Sequence, residues 1–353
     1  MQRALTLAAR GKGRVSPNPL VGCVIVNKGK IVGEGAHEYF GGPHAEVMAL
    51  RKAWKKARGG TVYINLEPCS HWGKTPPCAP TLIQTGIKQI FIASKDPNPL
   101  TSGKGIKAFK AAGIRVHIGL ERDAAAYLNR TFFTWMRKER PHVTLKMAMT
   151  LDGKIASSQG DSKWISSPKS RRLVHRLRAE SDAVLIGATT ANQDNPHLTS
   201  HGQGRNPIRF ILDPHLRTSP ALNVYNDNRA RTVILASTRV PEKRAALFLN
   251  KAVQLLRFNL KNGAFNINEV LKNIAEMDVS QLFIEGGGET AWSFLHAKAV
   301  DEAYFFIAPL IIGGRDSRSP VEGPGVASIK QALRIKSMSV GRIGQDILIK
   351  GSF

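Results

Sequence analysis

The sequence predicts an α/β chain of two domains, and three observations carry that prediction. At 353 residues the chain outgrows a single hydrophobic core. Between residues 61 and 118 short apolar strands alternate with helical stretches, the order that builds a layered α/β/α domain. A charged run, Arg137-Lys138-Glu139-Arg140-Pro141, then ends in proline and gives way at once to an alternating strand. The expected domains are therefore residues 1–140 and 141–353.

Composition narrows the class. With 42% hydrophobic residues the chain is globular, and it has no apolar run near the roughly 18 residues of a membrane span. The N-terminus lacks the apolar segment and cleavage site of a signal peptide, and three cysteines do not make a disulfide framework. A cytoplasmic protein with no membrane partner is the expectation. Lys and Arg number 51 against 26 Asp and Glu, a formal net charge of +25. Such an excess suits nucleic acid, phosphorylated ligands or a plainly basic surface. The basic residues are spread along the whole chain, and aromatics, at 7%, do not interleave with them as a stacking platform requires. Nucleic acid is disfavoured on both counts.

Taken in order, residues 1–11 suggest a helix with Leu5 and Ala8/Ala9 on one face, and Ser16-Pro17-Asn18-Pro19 is a turn pinned by two prolines. Asn18 there either presents an amide to a ligand or serves only the turn. Strands near 20–27 and 30–35 form a hairpin at Asn27-Lys28-Gly29. Helical character runs from His44 to Ala57, a strand from Thr61 to Asn65, and a helix over 78–86. Strands near 89–93 and 114–118 with a helix near 104–112 complete the domain.

Chemistry concentrates in Pro43-His44-Ala45-Glu46, Glu67-Pro68-Cys69-Ser70-His71 and Thr75-Pro76-Pro77-Cys78. One imidazole and two thiolates are the ligand count of a catalytic zinc whose fourth position is left open. Glu46, two residues past His44, is placed to reach a water there without being a ligand. A structural zinc would want a fourth donor, for which His71 or Cys23 is available; Cys23 reads as a small core residue on a strand. A His-x-Glu followed by Pro-Cys and a further Cys resembles the zinc-dependent nucleobase deaminases, in which the carboxylate shuttles the proton.

In the second domain His142–Met149 alternates as a strand, Thr150–Lys154 turns, a basic helix over 168–180 carries Arg178, and a strand at 182–187 leads to the loop Asp194–Thr199. Strand Gln281–Glu285 runs into Gly286-Gly287-Gly288-Glu289-Thr290. A strand, three glycines and a helix start make a phosphate cradle of bare backbone N–H groups, suited to a dinucleotide pyrophosphate. Tyr304–Gly314 reads as core or as an interface between copies of the chain. Ala332–Lys336 and Asp346–Lys350 are expected as closing strands, and Ser237–Arg239 as a contact for a 2′-phosphate.

The run Glu67-Pro68-Cys69-Ser70-His71-x-Gly73-x-Thr75-Pro76-Pro77-Cys78, together with these C-terminal segments, resembles the bifunctional riboflavin-biosynthesis deaminases/reductases over nearly the whole chain. The resemblance implies a cytidine-deaminase-like α/β/α domain and a dihydrofolate-reductase-like α/β domain. It implies zinc on His44, Cys69 and Cys78, with Glu46 as proton shuttle. It further implies NADPH contacts at Ala148, Trp164, Thr190, Asp194, Gly286, Gly287, Gly288, Glu289 and Thr290. Substrate contacts are implied at Asn18, Lys74, Lys146, Ser162, Arg178, Leu198, His201 and Glu285, the substrate being a phosphorylated pyrimidine. One departure stands out: the family carries arginine three residues after the loop leucine, where this chain has His201. Either His201 meets the substrate phosphate in a pH-dependent way, or Arg178, Arg205 or Arg209 takes over. The rival readings are a deaminase of RNA or DNA and a zinc protein without catalysis, against which the nine-residue spacing of the thiols and the intact Glu46 respectively count.

Overall fold

A computed structural model of the chain describes residues 1–70, 72, 76–248 and 251–353. These fall into two compact units, Met1–Arg140 and Pro141–Phe353. In the first, helix α1 (Gln2–Ala8) precedes strands β1 (Gly22–Asn27) and β2 (Lys30–Ala36), helix α2 (Ala45–Ala53), β3 (Thr61–Leu66), α3 (Cys78–Gln84), β4 (Gln89–Ser94), α4 (Lys104–Ala111), β5 (Arg115–Ile118), α5 (Arg122–Leu128) and α6 (Arg130–Lys138). The sheet runs β2-β1-β3-β4-β5, antiparallel on either side of β1 and parallel from β3 onward.

Alternating side chains bury both faces of this sheet. Cys23 and Ile25 join the cluster that includes Ala45, Ala49, Ile64 and Phe109, while Val24 packs with Ala4 and Leu7 of α1. Two glycines on β2 let α2 settle on the sheet: a Cβ at Gly33 or Gly35 would lie 2.2 Å from Ala49 O or 2.1 Å from Ala45 O. This close approach brings the start of α2, with His44 and Glu46, to the end of β3.

The second unit comprises β6 (His142–Thr150), α7 (Pro168–Glu180), β7 (Ala183–Gly187), α8 (Ala188–Asp194), β8 (Ile208–Leu212), α9 (Asn223–Asn226), β9 (Thr232–Ser237), α10 (Glu242–Ala245), β10 (Val253–Phe258), α11 (Ile267–Ala275), β11 (Gln281–Glu285), α12 (Gly288–His296), β12 (Glu302–Ala308), β13 (Ser337–Ile343) and β14 (Asp346–Ser352). Its sheet order is β10-β9-β8-β7-β11-β6-β12-β14-β13, parallel up to β12 and antiparallel through the closing hairpin. Ala183 and Leu185 of β7 enter one core cluster and Val184 and Ile186 the other. Burial on both faces explains why these strands read as unbroken apolar runs. The N-terminus of α7 is fixed by Ser167, whose side chain accepts from Ser170 N, with Pro168 in the first turn.

Two expectations shift. Ala332–Lys336 is not a strand; its place is taken by Ser337–Ile343, where Val340 pairs with Ile349 and Ile343 with Asp346. A two-residue turn with Gly344 at φ +65° sets that register, and counting back from it leaves 332–336 outside. Residues 188–194, expected to lead from the strand to the loop without a helix, form α8, and the loop follows directly from its end at Asp194. Among the described residues no helix is long and apolar enough to cross a membrane.

Candidate metal centre and dinucleotide cavity

His44 stands at the N-cap of α2 in extended conformation, Cys69 follows β3, and Cys78 opens α3. Their ligand atoms all lie within 4.8 Å of one another. His44 Nδ1 is 3.3 Å from Cys78 Sγ and 3.6 Å from Cys69 Sγ, and Cys78 N donates to Cys69 Sγ at 3.3 Å. Ligands about 2.1 Å (N) and 2.3 Å (S) from a tetrahedral zinc would be separated by roughly 3.6–3.8 Å. The trio fits that ion. The thiols share a proton: the Cys78 hydrogen bond, then His44, hold Cys69 down at about 4, and the same hydrogen bond and burial push Cys78 up. Cys23 sits in the core, with its thiol raised well above the usual range by burial, and is not part of the group. His71 and Lys74 lie outside the described residues.

Glu46, only 3% exposed, occupies the first turn of α2. Burial, reinforced by Cys69, raises its carboxyl to about 7. A carboxyl poised there both accepts and releases a proton near neutrality. Beside it opens a cavity of about 280 Å³ lined by Asn18, His37, His44, Glu46, Cys69, Asp96 and Asn98 among others. His37 Nδ1 lies 3.1 Å from Pro43 O, and its Nε2 lies 3.1 Å from Asn18 Nδ2. With Nδ1–H donating to the carbonyl, Nε2 accepts from the Asn18 amide and so fixes its orientation. Sequence reasoning missed His37, Asp96 and Asn98. The signal was a repeat: Pro17-Asn18-Pro19 recurs as Pro97-Asn98-Pro99, and both asparagines reach this cavity. Burial, then Glu67 and Cys69, raises Asp96 to about 6. Glu67 itself accepts from Gly103 N at 3.0 Å and Ile106 N at 3.2 Å, tying the start of α4 to the site.

The second unit holds a cavity of about 520 Å³. Ala148, Trp164, Thr190, Asp194, Gly286, Gly287, Gly288, Glu289 and Thr290 all line it, as do Lys146, Ser162, Arg178, Leu198, His201 and Glu285. Gly286 and Gly287 adopt φ of +79° and +80° before α12, which leaves the helix N-terminus bare toward the cavity. Gly288 has a packing reason as well, since a Cβ there would meet Glu322 Cγ at 2.5 Å and Ser319 O at 2.7 Å. Arg178 and Glu285 form a two-pronged ion pair, Nη2–Oε2 2.9 Å, and Arg178 Nη1 also donates to Thr199 O at 3.1 Å. Burial pushes the Glu285 carboxyl up, but the charge and hydrogen bonds of Arg178 and the charge of Lys146 outweigh it, and the net shift is downward. Burial lowers Lys146 and raises Asp194, which Ser162 Oγ meets at 3.4 Å. Leu198 is 3% exposed with its side chain in a core cluster, so its backbone is what it offers the cavity.

The three candidate arginines separate cleanly. Arg209 is 1% exposed and spends its guanidinium on Thr232 Oγ1, His197 O, Asp227 and Ala230 O. Arg205 pairs with Asp182. Of the three, Arg178 alone lines the cavity. Ser237–Arg239 is absent from that lining; Ser237 is buried, and its Oγ accepts from Arg239 N at 3.1 Å.

Residues 1–94 match the cytidine and deoxycytidylate deaminase zinc-binding region, and residues 141–349 match the RibD C-terminal domain. The latter spans more than half of the chain. The chain belongs to the RibD family. The riboflavin biosynthesis protein RibD of Aquifex aeolicus (strain VF5) is 44% identical over 351 residues, 99% of this chain and 96% of that protein. A crystal structure of a diaminohydroxyphosphoribosylaminopyrimidine deaminase/5-amino-6-(5-phosphoribosylamino)uracil reductase from Thermotoga maritima superposes with a TM-score of 0.88 at 38% identity, covering 100% of this chain and 97% of its own. Acinetobacter baumannii RibD, form 1, gives 0.89 at 35% identity, covering 99% and 97%. As a RibD protein the chain is a bifunctional deaminase and reductase of riboflavin biosynthesis, with a zinc-binding deaminase region that contains the His44–Cys69–Cys78 trio.

Proposed function

We propose that residues 1–140 hydrolyse the amino group of 2,5-diamino-6-ribosylamino-4(3H)-pyrimidinone 5′-phosphate with zinc, and that residues 141–353 reduce the ribosyl group of the product to ribityl with NADPH. The observation that carries this reading is the His44–Cys69–Cys78 trio beside a buried Glu46, in a chain whose second cavity ends at a glycine-capped helix. Zinc on the trio supplies Lewis-acid activation of water, bringing its pKa from about 15.7 to about 7. Glu46 takes the water's proton and returns it to the departing amine, so that water and the amino-pyrimidine become ammonia and the oxo-pyrimidine. Its carboxyl, raised to about 7, suits both halves of that transfer. The buried position of Glu46 keeps the proton from bulk solvent.

In the second cavity NADPH supplies hydride to the sugar C1′. The bare N-terminus of α12 after Gly286 and Gly287 suits the cofactor pyrophosphate. Lys146, Asp194 and Glu285 line the same cavity and would orient the opened sugar, whose C1′ carbonyl or imine nitrogen or oxygen would take up a proton as the carbon is reduced. The test is NADPH oxidation, followed by absorbance, with the deaminated ribosylamino-uracil 5′-phosphate, and NADH alongside. Turnover with NADPH preferred is expected; ammonia release from the diamino precursor without any reduction would refute the second half. Glu46→Ala is expected to abolish ammonia release, and retention of it would refute the first.

A further inference from the structure

The basic residues, spread along the sequence, gather at one end of the first unit. Between Glu46 and Glu67 the chain has no acid but five cations, all within Arg51-Lys52-Ala53-Trp54-Lys55-Lys56-Ala57-Arg58. Ala53 and Ala57 are buried in the core and pin this segment, while the six residues around them are exposed. Asn27 Nδ2 donates to Lys56 O at 2.8 Å and to Arg58 O at 3.0 Å, which brings the β1–β2 turn, with Lys28 and Lys30, alongside. Gly59 N donates to Gly86 O at 2.8 Å and Lys88 N to Gly60 O at 2.9 Å, which adds Lys88. Among the described residues, none of Lys28, Lys30, Lys55, Lys56, Arg58 and Lys88 forms an ion pair. The acids of the region are spent elsewhere: Glu34 accepts from Arg3 Nε at 2.7 Å, and Glu46 and Glu67 are buried. Among these cations stands Trp54, 73% exposed. It closes α2 at φ +48° and ψ −138°, a conformation that glycine adopts readily and tryptophan only under strain. An indole kept there serves neither the core nor the turn.

We propose that this patch is a binding surface for single-stranded nucleic acid, with an unpaired base stacked on Trp54 and the surrounding cations on phosphates. An aromatic face ringed by unbalanced positive charge is what a sequence-tolerant single-strand site needs. The interleaving of aromatic and basic residues that the chain at large lacks is present in this one segment. A bilayer would want an apolar face beside the charges, and the alanines here are turned into the core. A duplex keeps its base faces stacked, so an exposed indole favours the single strand. The surface is also separate from the deaminase chemistry. His44 stands at the start of α2 and Trp54 at its end, about 14 Å of helix apart. The proposal therefore adds a second ligand to the chain and does not depend on its substrate or cofactor.

The experiment follows the fluorescence anisotropy of a labelled oligouridylate, about twelve residues long, titrated with the full chain from about 50 to about 300 mM salt. A slope of log affinity against log salt of about −4 is expected for six phosphate contacts. The triple variant Lys55→Ala/Lys56→Ala/Arg58→Ala should bind more weakly and flatten that slope by about 2. Trp54→Gly gives the end of α2 the residue its backbone prefers, so the thermal midpoint should hold or rise. Affinity for the oligonucleotide should nevertheless fall about tenfold or more. Absence of binding at the lowest salt would overturn the proposal. So would unchanged affinity in Trp54→Gly, the mark of a patch that takes any polyanion. Stronger binding to phosphatidylglycerol vesicles than to the oligonucleotide would overturn it in favour of a membrane surface.

Discussion

The two cavities differ in how their chemistry is assembled. At the metal centre the three donors come from within 35 positions of sequence, and each sits at the start of a helix or just past a strand. The larger cavity draws on residues from 146 to 322, and its charges are mostly answered by one another. Arg178 meets Glu285 across 107 positions, and Asp194 has Ser162 and Lys163 as neighbours. A metal site needs specific atoms at short range and little else. A large cavity lined by many charged groups needs those charges cancelled to the right degree, which only distant segments can arrange.

The sharpest break of that contrast is Cys78→Ser. A serine hydroxyl stays protonated where a thiolate is wanted, so zinc content by atomic spectroscopy and ammonia release should both collapse, the latter by at least about 10³-fold. NADPH-dependent reduction of the deaminated substrate should remain near the parental rate. Equal loss of both activities would mean that the sites are not chemically separate.

Arg178→Met is the counterpart in the second unit. It leaves Glu285, 7% exposed, as a buried charge short of its main partner, and about 3 kcal/mol of stability should go with it. Denaturant unfolding should show the loss in the second unit, with zinc retention unchanged. A cost under about 1 kcal/mol would place the pair among surface contacts.

Acid sharpens the same comparison with a smaller effect. The carboxyl of Glu285 is held below its ordinary value in the folded chain. A group depressed on folding contributes stability above its unfolded value of about 4.3, and that contribution is lost as pH falls through the folded value. The thermal midpoint of the second unit should therefore hold near neutrality and fall below about pH 4.5. In Arg178→Met the gap to the parent should narrow over that range, since protonating Glu285 removes the lone charge. A gap that stays constant with pH would remove Glu285 from the account.

By itself the sequence determined what depends on residue type and short spacing. The His44, Cys69 and Cys78 donors, Glu46 beside them, the parallel strands with both faces apolar and the glycines before α12 follow from which atoms ligate, which side chains fill a two-sided core and which residue tolerates a left-handed backbone. The repeated Pro-Asn-Pro was equally legible, and it marks Asn98 as surely as Asn18. Tertiary structure alone decided how charges and rings pair. Nothing local distinguishes Arg178 in the cavity from Arg209 sealed in the core, and nothing local sets Arg205 on Asp182 or lays His201 on His175. Nor did alternation at 332–336 reveal that a two-residue turn at Gly344 assigns the closing strand to Ser337–Ile343. Ion pairing, ring stacking and strand register are relations between distant segments, and a basic residue carries no mark in sequence of the partner that will cancel it.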